Sequence, residues 1–131
     1  MSRPPSVRAA LEARRAAGGR ALIPFLTAGY PDWDRFDAAV AVLAGEGADA
    51  LELGLPFSDP LADGPTIQAS SQRALEAGVT VEGVLAHMRA RGAGGLPVVV
   101  MTYANPVLAY GAEAFARDAV DAGISGLLVS D

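Results

Sequence analysis

Four short apolar runs alternate with longer stretches of helical spacing, and glycines close most of those stretches. The runs fall at 21–27, 49–55, 96–103 and 126–131. This alternation constrains the fold more than any other feature. Parallel neighbouring strands cannot be joined by a tight turn, so each connection must cross over one face of the sheet, and such crossovers are right-handed. The order is one leading helix and then β-α-β-α-β-α-β, which implies an α/β fold on a parallel sheet. The leading helix is expected over about 5–17, with Val7 and Leu11 on one side and Gly18-Gly19 as its stop. Asp32 or Asp34 can cap a second helix whose stripe is Phe36, Ala39, Val40 and Leu43. Helices are also expected over 66–77, from a Thr80 cap through His87 to Arg91, and over 111–123 with Phe115, Ala119 and Ala122 on one side. The run 96–103 is nearly all apolar, as a strand covered on both faces should be. Pro24 marks the first run as locally irregular.

Four strands of this type are half of a (β/α)8 barrel, which takes about 250 residues. With 131 residues ending on a strand, the chain reads as the front part of a longer protein: a single domain, 1–131, forming an incomplete barrel. A weak internal repeat supports the unit. Glu46-Gly47-Ala48-Asp49-Ala50-Leu51-Glu52-Leu53 aligns with Ala122-Gly123-Ile124-Ser125-Gly126-Leu127-Leu128-Val129, which sets Glu52 opposite Leu128. One slot holds glutamate once and leucine once, so packing alone does not require the acid.

Composition removes several function classes. The hydrophobic fraction is 51% and the charged fraction 19%, enough for a core and against disorder. A net charge of −5 argues against nucleic acid as a partner. No cysteine is present, and His87 is the single histidine, so thiolate chemistry and multi-histidine metal sites are excluded. The start, Met1-Ser2-Arg3-Pro4-Pro5, lacks the apolar core of a signal peptide, and no run is long enough to span a membrane. A cytoplasmic protein is the expectation.

The segment 50–65 carries the chemistry. Alternation puts Ala50, Glu52 and Gly54 on one strand face and Leu51, Leu53 and Leu55 on the other. The leucines would pack on helices, leaving Glu52 in a barrel interior near the end where barrel active sites lie. A buried carboxylate costs several kcal/mol unless it is satisfied. The bland alternative is a glutamate at a solvated strand end, or one paired with arginine. Asp59 and Asp63 follow in a Pro/Gly loop, and each alone is ordinary turn chemistry. Together with Glu52 they allow acid and base roles to be divided between carboxylates. Phe25 is barrel filling or pocket lining. Tyr103 either reaches the same mouth or is a core aromatic with a solvated hydroxyl. Asp131 ends the fourth strand at that mouth, and His87 is expected on a helix surface. The glycine pairs lack a phosphate-loop lysine and read as helix stops.

Three segments resemble the alpha subunit of tryptophan synthase: 23–31 (Ile-Pro-Phe-Leu-Thr-Ala-Gly-Tyr-Pro), 51–68 from Leu51-Glu52-Leu53-Gly54 through Asp63-Gly64-Pro65-Thr66-Ile67-Gln68, and 101–107 (Met-Thr-Tyr-Ala-Asn-Pro-Val). The likeness spans about 22–131. It implies a (β/α)8 lyase that cleaves indole-3-glycerol phosphate to indole and glyceraldehyde 3-phosphate in L-tryptophan biosynthesis, without metal or organic cofactor. It implies that Glu52 protonates the indole ring carbon at the scissile bond and that Asp63 assists proton removal at the indole nitrogen. It further implies that Phe25, Tyr103 and Leu128 line the indole pocket and that Asp131 is a strand-end acid in the site. The loops around Asp59-Pro60 and Asn105-Pro106 would face the beta subunit of an alpha2beta2 tetramer. The family's substrate-phosphate site lies in a later half that these residues do not include. Two other readings stay open: a different (β/α)8 enzyme of phosphorylated sugars, and a non-catalytic half-barrel that self-associates or binds another chain.

Overall fold

The computed structural model describes residues 5–131. Its elements are α1 Val7–Ala16, β1 Phe25–Thr27, α2 Trp33–Gly45, β2 Leu51–Gly54, α3 Pro65–Glu76, α4 Val81–Arg91, β3 Val98–Thr102, α5 Ala104–Tyr110, α6 Ala112–Asp121 and β4 Ile124–Val129. The expected helices form, and local chemistry explains their starts. Asp32 accepts from the Arg35 amide at 2.8 Å and Thr80 from the Gly83 amide at 3.0 Å, each satisfying an amide that the helix cannot. Pro65 takes the first position of α3, where a missing N–H costs nothing.

The strands are shorter than the apolar runs. In the first run only the part after Pro24 joins the ladder, although the Leu22 and Pro24 carbonyls still accept from Asp49 and Glu52 at 2.9 Å. The fourth strand starts at Ile124, earlier than expected, directly behind the left-handed Gly123. The sequence did not announce α5. A carboxylate 27 residues away helps to start it: Asp131 accepts from the Ala104 amide at 2.7 Å. Gly111, at φ 102°, separates it from α6. Asn105 and Pro106, expected in a loop, therefore sit in the first turn of a helix, where proline is tolerated.

All four strands are parallel, in the order β1-β2-β3-β4. Leu51, Leu53, Val98, Val100 and Ile124 face the helices and meet Phe36, Val40, Val84, Met88 and Phe115 in one core. The helix α1 buries no side chain and is held by charge instead. Asp49 accepts from Arg14 Nε at 2.9 Å and from the Leu22 amide at 2.8 Å. These bonds, the amide first and the guanidinium second, hold its carboxyl below the usual aspartate range.

His87 does not lie free on a helix surface. Its ring stacks on Trp33 with centroids 3.9 Å apart, and Nε2 lies 2.6 Å from Asp37 Oδ1, tying α4 to α2. Among the described residues no helix is long and apolar enough to cross a membrane.

Candidate active site

Register defines which side chains share the inner face. Phe25 pairs with Glu52, and Glu52 with Val99; Thr27 pairs with Gly54, Gly54 with Met101 and Met101 with Leu128. In parallel strands, paired residues point to the same side. Phe25, Glu52, Gly54 and Leu128 therefore all lie on the face turned away from the helices, as alternation implied. Val99 pairs with Gly126, so Gly126 and not Leu128 stands at the level of Glu52. A bulge enters the ladder at this level: Val98 pairs with Ile124 but Val99 with Gly126, and Ser125 is the extra residue.

Glu52 is half-buried. Among the described residues it has no hydrogen-bond or ion-pair partner, and no described arginine pairs with it. Above it, Gly54 makes room for an aromatic ring. A Cβ at 54 would stand 2.5 Å from Phe25 Cζ, so the ring lies across the bare backbone. Phe25 thus does more than fill the barrel: it roofs the strand that carries Glu52.

The acidic loop is tied down from three directions. Ser71 of α3 accepts from the Phe57 amide at 2.9 Å and donates to the Phe57 carbonyl at 3.2 Å. Gln68 Nε2 donates to the carbonyls of Pro60 at 3.3 Å and Asp63 at 2.9 Å. The Tyr103 hydroxyl donates to Asp63 Oδ2 at 2.9 Å and accepts from the Ala62 amide at 2.9 Å. Tyr103 is only 7% exposed, and its hydroxyl is engaged rather than solvated. Burial first, and the Asp63 hydrogen bond second, raise its phenol above the usual range.

Phe25, Thr27, Gly54, Asp63, Met101 and Tyr103 line a cavity of about 10 Å³, about one water's space. Glu52 does not line it. The structure brings Asp63, Tyr103 and Phe25 together around this cavity and leaves Glu52 outside it, level with the Phe25 backbone on the same face. Leu128 sits on that face but is 48% exposed. Asp131 is exposed and engaged at the start of α5. Asp59 is exposed and accepts from its neighbour Ser58 at 2.9 Å. Sequence reasoning missed Gln68 and Ser71. Their spacing of three puts them on one face of α3, the only cue in the sequence. Among the described residues no three His, Cys, Asp or Glu side chains gather closely enough to hold a metal ion.

Comparison with known proteins gives a consistent result. The family model described as tryptophan synthase alpha chain matches residues 11–131. The tryptophan synthase alpha chain of Pelobacter propionicus is 54% identical over 113 residues, covering 86% of this chain and 42% of the relative. That of Paraburkholderia phymatum is 52% identical over 133 residues, covering 100% and 48%. Among solved structures, tryptophan synthase subunit alpha from Legionella pneumophila superposes with a TM-score of 0.90 at 38% identity, over 95% of this chain and 48% of that one. A ligand-free tryptophan synthase from M. tuberculosis gives 0.89 at 44% identity, over 97% and 52%. The chain spans about half the length of the curated relatives it matches.

Proposed function

The chain belongs to the tryptophan synthase alpha chain family, and on that premise we propose that it supplies the acid–base half of a (β/α)8 lyase acting on indole-3-glycerol phosphate. The observation that carries this reading is Glu52, a half-buried carboxylate on a rigid strand with no protein partner among the described residues. An acid kept free for substrate fits protonation of the indole ring carbon as the bond to the glycerol phosphate chain breaks. Asp63, at the loop end beside the same mouth, fits the base that relieves charge at the indole nitrogen. Cleavage of this retro-aldol kind needs one acid and one base, and no cofactor is assigned to it. Phe25, Tyr103 and Leu128 would contact the ring, and Asp131 the mouth.

Exposed Asp59 and Asn105, with Pro60 and Pro106, lie around the loop and the start of α5. This is the surface we assign to a tryptophan synthase beta subunit, in an alpha2beta2 assembly in the cytoplasm. The 131-residue chain alone should release indole far more slowly than a chain that closes the barrel. Binding of the remote phosphate helps to lower the barrier, and without it rate is lost along with affinity.

The test is Glu52→Gln in a chain that closes the barrel. Indole release should fall by about 10²–10⁴-fold, the usual worth of a general acid. A variant rate close to the parent's would sink the reading. One observation favours a second behaviour of the isolated chain: Leu127, Leu128 and Val129 are 43–48% exposed beside the outer edge of β4. Unpaired edges invite pairing. Gel filtration at the monomer volume over a wide concentration range would exclude self-association.

A further inference from the structure

Tyr103 touches the acidic loop at both ends. Its ring packs on Phe57 at the loop's start, with centroids 5.4 Å apart at 33°. Its hydroxyl engages Ala62 and Asp63 at the loop's end. We propose that Tyr103 is a positioning residue for Asp63: its hydroxyl holds Oδ2 and the adjoining amide so that Oδ1 stays free to take a proton from substrate. This rests on the assignment of Asp63 as the base.

The geometry carries the argument in three steps. An ionised carboxylate only accepts, through two oxygens, so one donor on Oδ2 restrains the group without using Oδ1. Among the described residues no donor reaches Oδ1, and it is not a buried atom left unsatisfied. The anchor is rigid: Tyr103 is buried and lies between the last residue of β3, Thr102, and the first residue of α5. A base held within a fraction of an ångström of its productive place gains rate, and a small misplacement loses it. The raised phenol range keeps the hydroxyl protonated, and so a donor, through neutral pH.

Tyr103→Phe keeps the ring against Phe57 and removes only the hydroxyl. In a chain that closes the barrel, kcat should fall about tenfold while KM stays within about twofold. A rise in KM alone would make Tyr103 a pocket wall and overturn the proposal. Asp63→Asn, run beside it, separates the two claims. Loss with Asp63→Asn but none with Tyr103→Phe overturns the positioning role and leaves the base standing. Loss with neither overturns both. The second readout needs no turnover. With Tyr30 and Tyr110 changed to Phe, the absorbance titration of Tyr103 should have its midpoint above about 10, the ordinary phenol value. Asp63→Ala should lower that midpoint, and an unmoved midpoint refutes the contact. This readout also decides the matter if Tyr103→Phe fails to fold.

Discussion

The second and fourth strand units begin from nearly the same local pattern and end in different surroundings. Each has a left-handed glycine behind a helix, Gly47 at φ 94° and Gly123 at φ 81°, then a short apolar strand. In β2, Leu51 and Leu53 are completely buried, with β1 and β3 on either side. In β4, Leu127 and Leu128 are each 48% exposed, and among the described residues only β3 pairs with the strand. The local pattern therefore specifies a strand and its faces, while burial depends on neighbours that the pattern does not contain. The same contrast sorts the two inner faces. That of β2 holds Glu52 beneath a roof formed by Phe25, and that of β4 holds a bare glycine and an open leucine.

The largest effect should separate the enclosed leucines of β2 from the open ones of β4. Leu53→Ala should cost about 2–5 kcal/mol, the usual loss for a fully enclosed leucine. Leu128→Ala should stay within about 1 kcal/mol, because the half-exposed side chain leaves little cavity. Denaturant midpoints would check both, and equal losses would break the comparison.

The glycines sharpen it. Gly54→Ala drives a methyl into the Phe25 ring, 2.5 Å away, and should cost about 1–3 kcal/mol as an overpacked site does. Gly126→Ala meets Val99 Cγ2 at 3.4 Å, close to ordinary contact, and has no positive φ to forbid it. It should be neutral or gain up to about 1 kcal/mol by restricting the unfolded chain. Thermal melts of the pair would show opposite or clearly unequal shifts.

The smallest effect is in acid. The Leu22 amide and Arg14 hold Asp49 below its unfolded value, so the stability it contributes is complete above about pH 4. That contribution is lost as pH falls through the lowered folded value. Asp49→Asn should flatten the acid limb of unfolding. Ser125→Ala, at the corresponding link before the upper part of β4, should leave that limb alone, since the Ser125 hydroxyl donates to the Pro5 carbonyl and, among the described residues, to no carboxylate. Asp118, lowered first by its bond from Tyr110, accounts for part of what acid sensitivity remains. An unchanged acid limb in Asp49→Asn would show that the Arg14–Asp49 link contributes nothing.

The alternation of runs and the glycine stops were enough to place, among the described residues, every strand and five of the six helices, because period and punctuation are local properties of the chain. They also put Glu52 on the inner face, since a strand's two faces follow from counting by two. What local pattern could not supply was anything decided by a partner distant in sequence. The start of α5 draws on Asp131, and the Tyr103 hydroxyl is occupied by a loop 40 residues away. His87 leaves the surface because Trp33 and Asp37 arrive from another helix. The bulge at Ser125 moves Gly126 to the level of Glu52, which no alignment of the repeat could show. Sequence alone determined which carboxylate stands in a strand and which in a loop. Only the tertiary structure decided that Glu52 has no partner among the described residues and that Asp63 is held there through Oδ2, because hydrogen bonds are made by whichever groups the folded chain brings within about 3 Å.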